Sequence, residues 1–391
     1  MIKPAERMTD IPFSGVRSIF EKALSMERSG KPVIHLEIGR PDFDTPEHIK
    51  AAACTALQDG KIHYTSNYGI PPLRRAIADK LAQENALDYS PEDEIIVTNG
   101  VSEGIMITMQ GLLNPGDEVM LLDPVFPAYE AAIRLAGGVP VPIPVSCEDT
   151  YQPDISDFEA RLTSRTKMLI FCNPCNPTGI TLKPATLAKI ADFAIRKDLL
   201  VVSDEIYEKI IYHGQTIKSI ASLSGMRDRT ITLNGFSKTY AMTGWRIGYL
   251  AAVAPIIQSL IRVHQYSVVC STSFAQWGAL AALESSQACV NEMLAQYDNR
   301  RRVVISELRQ IPSLKYVDPD GAFYVYINTE SIGRGAVDFS NDLLENYQIA
   351  VVPWNSDHIR ISYATDIKTL RIAMERIREA AAGSILQPSV F

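Results

Sequence analysis

The chain has 391 residues and a mass of 43.2 kDa, too long for one small core and suited to two lobes. Its 38 Lys and Arg against 45 Asp and Glu leave a net charge of −7, which argues against nucleic-acid binding through bulk positive charge. Hydrophobic residues at 46% and charged residues at 21% mark a globular chain rather than a disordered one.

The start, 1–10, is polar and lacks the apolar core of a signal peptide, and no run reaches the ~18–20 apolar residues that span a bilayer. A cytoplasmic protein without membrane partners is expected. From residue 94 onward, short apolar runs alternate with amphipathic stretches. Strands are predicted at 94–98, 118–122, 139–145, 167–171, 199–203, 230–233 and 247–252, with helices at 103–113, 128–136 and 184–197. Strands of this kind, without a polar face and separated by helices, predict an α/β fold with a mostly parallel seven-stranded sheet covered on both sides. Beyond about Ser285 the pattern changes. A long charged helix at 291–309 is followed by strands at 322–327, 349–352 and 359–363 and a last helix at 367–382. These segments predict a large domain over 46–284 and a smaller α+β domain built from 1–45 and 285–391, with a cleft between them. No repeat, low-complexity segment or Gly/Ser linker interrupts the chain.

In such a sheet, ligands gather beyond the carboxyl ends of the strands, and four polar segments fall there. Thr98-Asn99-Gly100-Val101-Ser102-Glu103-Gly104 runs from a strand through a Gly turn into a helix. The free N–H groups of a helix start suit an anion; the other reading is a simple helix cap at Ser102. Neither a Walker loop nor a G-x-G-x-x-G is present. The second segment, Asn173-Pro174-Cys175-Asn176-Pro177-Thr178-Gly179, is a rigid turn open to a cis bond. Six cysteines in a chain of this size make no disulfide scaffold. The pair Cys172 and Cys175 lacks the two further ligands of a structural zinc, so no metal is expected, and a redox dithiol is the alternative. The third, Ser203-Asp204-Glu205-Ile206-Tyr207, ends a very apolar strand, where a carboxylate costs desolvation unless it meets a cation or a donor. Asp204 therefore needs a partner. The fourth, 234–249, places Lys238 at a strand end among small and apolar residues. Desolvation would lower its pKa and make it an amine nucleophile, with Arg246 eight positions on suited to a phosphate. Spacing alone leaves a solvated lysine open.

In this order the four segments resemble the class I/II aminotransferases, the fold type I enzymes that use pyridoxal 5′-phosphate (PLP). Gly235-Phe236-Ser237-Lys238 through Arg246 is similar to that family's lysine-attachment signature. Further matches are Ile38-Gly39-Arg40-Pro41-Asp42-Phe43, Tyr64-Thr65, Asn176-Pro177-Thr178-Gly179, Ser203-Asp204-Glu205-Ile206-Tyr207, Gly321-Ala322-Phe323-Tyr324 and Arg360-Ile361-Ser362-Tyr363-Ala364. The likeness spans about 11–378. It implies that Lys238 holds PLP as a Schiff base and then carries a proton between Cα and C4′. Asp204 would pair with the pyridine nitrogen and keep the ring an electron sink. Tyr207 and Asn176 would hydrogen-bond the ring's 3′-oxygen, and Phe126 would stack on the ring. The N–H groups of Val101 and Ser102, with Ser237 and Arg246, would hold the phosphate. Tyr64 would reach in from a second subunit, since such sites lie at a homodimer interface. Arg360 would grip the substrate α-carboxylate bidentately, helped by Gly39 and Asn176.

The implied activity moves the amino group of an L-amino acid to a 2-oxo acid by a ping-pong route. Another fold type I reaction, such as β-elimination, racemisation or decarboxylation, starts from the same labilised bond, and a non-catalytic PLP-binding module is a more distant alternative. Four departures bear on substrate. Gly235 stands where many relatives have a serine, Ser102 where some aspartate-using relatives have a lysine, and Arg40 where many have Glu or Gln. Arg40 is a candidate for a second carboxylate or for a salt bridge in the wall. Finally, the segment from Val352 to Arg360 is shorter than the usual loop beside the active site, with Trp354 expected to refill part of the space.

Overall fold

The computed structural model describes residues 5–11 and 15–385; the stretches 1–4, 12–14 and 386–391 of the expected small domain lie outside the described residues. Helix α1 (Gly15–Arg28) and the short strand β1 (Ile34–His35) come first, then α2 (Glu47–Gln58) and α3 (Pro71–Asn85). The central sheet follows, from β2 (Ile95–Thr98), β3 (Glu118–Asp123), β4 (Val139–Pro144), β5 (Thr166–Cys172), β6 (Leu200–Asp204), β7 (Thr230–Gly235) and β8 (Gly248–Ala251). Their order is β2-β8-β7-β6-β5-β3-β4. Only β8 runs against the rest, antiparallel to both β2 and β7. The carboxyl ends of the other strands therefore share one edge. Ends differ from the sequence expectation by one or two residues.

The strands read as unbroken apolar runs because both faces are covered. Along β2, Ile96 packs with Ile105, Ile257 and Leu260, while Ile95 and Val97 pack on the other face with Leu73, Ile77 and Ala279. The covering helices are α4 (Val101–Leu112), α5 (Pro127–Leu135), α6 (Ile155–Arg161), α7 (Pro184–Arg196), α8 (Ala254–Ser267) and α9 (Ser273–Glu284). Strand β4 carries Pro140, Pro142 and Pro144, and it lies at the sheet edge, the place where missing N–H donors are tolerated.

A long helix, α10 (Ala288–Leu308), leads to β9 (Lys315–Tyr316), β10 (Tyr324–Asn328), α11 (Ala336–Tyr347), β11 (Ile349–Ala350), β12 (Val352–Pro353), β13 (His358–Ser362) and α12 (Ile367–Ile385). Four of these strands form an antiparallel sheet, β12-β13-β10-β9. The single strand expected over 349–352 is split instead. Its first half pairs in parallel with β1, and its second half with β13. The short segment after β12 closes as a tight hairpin, with Trp354 N–H donating to His358 O at 2.8 Å. Asn355 Oδ1 accepts the N–H groups of Asp357 (3.0 Å) and His358 (2.8 Å), a side-chain turn that needs no longer loop.

Beyond β6 the chain turns sharply, with Glu208 N–H on Glu205 O and Ile210 N–H on Tyr207 O. Glu205 is buried and the Glu208 side chain nearly so, in a polar network behind the turn. Ser203 and Ser219 donate to Glu205 at 2.8 and 2.7 Å, and burial pushes that carboxyl up to about 7. Glu208 meets Lys80 of α3 and accepts from Asn85 Nδ2 at 2.8 Å. Burial opposes its charge, but the Lys80 ammonium outweighs burial and holds the carboxyl below its ordinary value. This buried pair pins the turn that carries Asp204 and Tyr207. Replacing Lys80 by Met should remove about 3–5 kcal/mol of stability, because it leaves a buried charge uncompensated. Urea unfolding measures it, and a loss near the roughly 1 kcal/mol of an exposed pair would refute the anchoring role.

Candidate active site

A cavity of about 360 Å³ opens at the shared carboxyl edge. Asp204, the last residue of β6, is 3% exposed. Its Oδ2 accepts the Tyr129 hydroxyl at 2.6 Å and its Oδ1 the Ile206 N–H at 3.1 Å. Burial raises the carboxyl to about 6, against the pull of those two donors and of the Lys238 charge. Lys238 lies in the turn after β7 and donates from Nζ to Gly39 O at 2.6 Å. Burial of the amine, then the charges of Arg360 and Arg246, lower it to about 8. Such an amine is in part unprotonated at neutral pH and is a competent nucleophile.

One end of the cavity is built for an anion. Gly100 takes the N-cap position of α4 at φ +77°, with no side-chain cap, so Ser102 is inside the helix and caps nothing. The N–H groups of Val101 and Ser102 carry no bond from the described residues. A Cβ at Gly100 would lie 2.6 Å from Arg246 Nη2, so only glycine lets the guanidinium settle on the turn. Arg246 donates from Nη1 to Thr243 O (3.1 Å) and from Nη2 to Asn99 O (3.3 Å). Ser237, 8% exposed, lines the same wall. Gly235 pairs with Gly248 across β7 and β8, and a Cβ there would come within 2.8 Å of Gly248 Cα. That approach explains why no serine stands at 235.

The other end is built from the second sheet and the segment after β1. Arg360 of β13 is 2% exposed. Its Nη1 donates to Asn176 Oδ1 at 2.9 Å and its Nη2 to Glu37 O, while Nε is buried without a partner. The guanidinium lies 4.4 Å from the Tyr324 ring centre and 5.3 Å from that of Trp354. A buried cation with an unfilled donor calls for an anion. Nearby, the Tyr207 and Tyr324 hydroxyls bond at 2.8 Å. Phe126 is half-buried and meets Tyr129 edge-on at 5.9 Å.

Gly39, Val101, Ser102, Phe126, Asn176, Asp204, Tyr207, Ser237, Lys238, Arg246 and Arg360 thus line one cavity. Two sequence candidates do not. Tyr64 is 85% exposed, and Arg40 is exposed with no side-chain partner among the described residues. Sequence reasoning assigned no role to Tyr324 and missed Tyr129, on the first turn of α5, whose hydroxyl reaches Asp204. The paired cysteines make no reactive dithiol: Cys172 Sγ donates to Pro174 O at 3.1 Å, and burial raises both thiols. Among the described residues, no group of three His, Cys, Asp or Glu side chains could hold a metal, and no helix is long and apolar enough to cross a membrane.

The family described as aminotransferase class I and II matches residues 31–377. The aspartate aminotransferase of Pyrococcus abyssi is 42% identical over 383 residues, 96% of this chain and 97% of the relative. The aromatic-amino-acid aminotransferase 2 of Thermococcus litoralis is 39% identical over 383 residues, 96% and 97% of the two chains. Among solved structures, the aspartate aminotransferase from Thermus thermophilus with maleate has a TM-score of 0.93 at 38% identity, covering 97% of this chain and all of that one. With the mostly parallel sheet and the cavity at its edge, these likenesses decide the matter. The chain belongs to the class I and II aminotransferases, enzymes that use PLP to move an amino group between an amino acid and a 2-oxo acid.

Proposed function

We propose that the cavity around Lys238 carries the transamination, with an L-amino acid as donor and a 2-oxo acid as acceptor in alternation. The observation that carries this reading is the Lys238 amine, brought to about 8 in the same cavity as the buried Asp204 carboxylate. The donor set fits PLP in three parts: an amine for the aldehyde, a carboxylate for the ring nitrogen, and free N–H groups with a guanidinium for the phosphate. When bound, PLP supplies an electron sink for the pair released at the substrate Cα and keeps the amino group between half-reactions.

The chain's own residues do the rest. Lys238 anchors the cofactor and moves the proton on and off Cα, a task suited to a group titrating near the working pH. Asp204 keeps the ring nitrogen protonated, and Tyr129 and the Ile206 N–H keep Asp204 ionised. Val101, Ser102, Ser237 and Arg246 take the phosphate. Phe126 covers the ring, and Asn176 with Tyr207, braced by Tyr324, faces its oxygen. Arg360 grips the α-carboxylate, already oriented by Asn176, Glu37 O and the Tyr324 face. Arg40, one residue beyond Gly39, remains the candidate for a second carboxylate; named relatives act on aspartate and on aromatic amino acids.

The large domain is assigned to 46–284 and the small one to 1–45 with 285–391, a grouping supported by the pairing of β1 with β11. A homodimer with shared sites is supported by Tyr64. Its ring is 85% exposed although the adjacent Thr65 hydroxyl accepts from Gln276 Nε2 at 3.1 Å. The ring is therefore presented on a fixed backbone, as entry into a second copy's cavity requires. A cytoplasmic setting agrees with six free cysteines.

A donor and acceptor screen, followed in the cofactor's visible absorption, tests the reading. Lys238→Ala should abolish turnover at saturating PLP, and Asp204→Asn should cost at least about 10²–10³-fold in kcat/KM; retained turnover in the first variant overturns the assignment. In Arg40→Ala, dicarboxylic donors should lose more than neutral ones, and equal losses dismiss the second-carboxylate role. Tyr129→Phe removes a donor that lowers the Asp204 pKa. In the PLP-free protein, the fall in PLP affinity below about pH 6 should therefore move to higher pH. Binding titrations of both proteins across the acid limb check it, and an unmoved or lowered midpoint contradicts it. Sedimentation should give twice the 43.2 kDa chain mass; a monomer at micromolar concentration refutes the shared site.

A further inference from the structure

Glu103 stands in the first turn of α4, beside the N–H groups assigned above to the phosphate. A free carboxylate there would oppose an anion, so the bonds it makes matter. Its Oε2 accepts the Asn99 N–H at 2.5 Å, and its Oε1 lies 2.8 Å from Nδ1 of His264. His264, on α8, is fully buried, and its Nε2 has no partner among the described residues. Asn99 is thus held at both of its backbone polar groups: Glu103 takes the N–H, and Arg246 Nη2 donates to the carbonyl. The next residue, Gly100, has the freest backbone of any residue type. Thr98 Oγ1 adds a bond to Gly100 O at 3.0 Å.

We propose that the Glu103–His264 pair is a positioning device for the cofactor phosphate. By fixing Asn99 it fixes the Gly100 turn, and with it the direction of the Val101 and Ser102 N–H groups and the seat of the Arg246 guanidinium. His264 acts through Glu103: it engages one carboxylate oxygen so that the other stays on Asn99. Neither residue lines the cavity, so neither is catalytic. The inference rests on the reading that this turn and Arg246 take the phosphate.

The test titrates the PLP-free protein with PLP and with pyridoxal, which has the same ring and aldehyde but no phosphate. Wild type should prefer PLP. Glu103→Ala should reduce that preference roughly tenfold and leave pyridoxal within about twofold, the weight of one hydrogen bond to a charged group. Glu103→Gln keeps an acceptor for the Asn99 N–H and should restore most of the preference. His264→Leu should lower it in the same direction, and it decides the matter if Glu103→Ala does not fold. A preference unchanged by these substitutions overturns the inference, as does an equal weakening of PLP and pyridoxal, which is what mere loss of helix stability would give. A wild type that binds the two alike overturns the phosphate reading itself, so the two failures are distinct.

Discussion

An acid and a base of opposite ordinary charge share one poorly hydrated cavity, and desolvation drives both toward neutrality. It lifts Asp204 to about 6 and brings Lys238 down to about 8. Neutral pH falls between the two values. The carboxylate is then still mostly ionised, while about a tenth of the amine is free at pH 7, against fewer than about one in a thousand for a solvated lysine. The rest of the site preserves this balance. Tyr129 and the Ile206 N–H stop burial from neutralising Asp204, and the two guanidinium groups help to hold Lys238 down.

The fold makes the balance possible by bringing distant stretches to one edge. Asp204 and Lys238 come from the ends of adjacent strands that run the same way, so each side chain meets the cavity as its strand stops. The antiparallel sheet adds Tyr324 and Arg360 from paired strands. The segment after β1 adds two backbone carbonyls, Glu37 O for Arg360 and Gly39 O for Lys238. A Cβ at Gly39 would lie 2.2 Å from the Tyr324 hydroxyl, so the backbone can reach the amine only because residue 39 has no side chain.

The parts legible in the sequence were those in which a residue's type states its own cost. Unbroken apolar strands announced a sheet covered on both faces, and a carboxylate or a lysine at the end of such a strand announced an environment needing explanation. Tyr129 was not legible, because an aromatic in the first turn of a helix reads as core until its hydroxyl is seen on Asp204. The carbonyls of Glu37 and Gly39 have no side-chain signature at all. The split of 349–353 between two sheets depends on partners more than 300 residues away in β1 for one half and on β13 for the other. The cap reading of Ser102 failed because a glycine took the cap position, leaving the helix N–H groups open. Tyr64 and Arg40 do not line their own cavity, and nothing in a single chain's pattern says what meets them.

The hairpin between β12 and β13 shows which part of the site depends on loop length. Cross-strand register places Arg360 opposite Tyr326 and Val352, so the guanidinium is located by the sheet and not by the turn. The tight turn sets Trp354 against both Arg360, at 5.3 Å, and Tyr326, at 6.4 Å. Two aromatic rings, Tyr324 and Trp354, therefore attend the cation and favour its charged form electrostatically, while its Nε keeps an unfilled donor. The short hairpin leaves the Arg360 guanidinium on Asn176 and Glu37 O and sets an indole beside it. The hairpin thus bears on what surrounds the guanidinium, and not on where the sheet holds it.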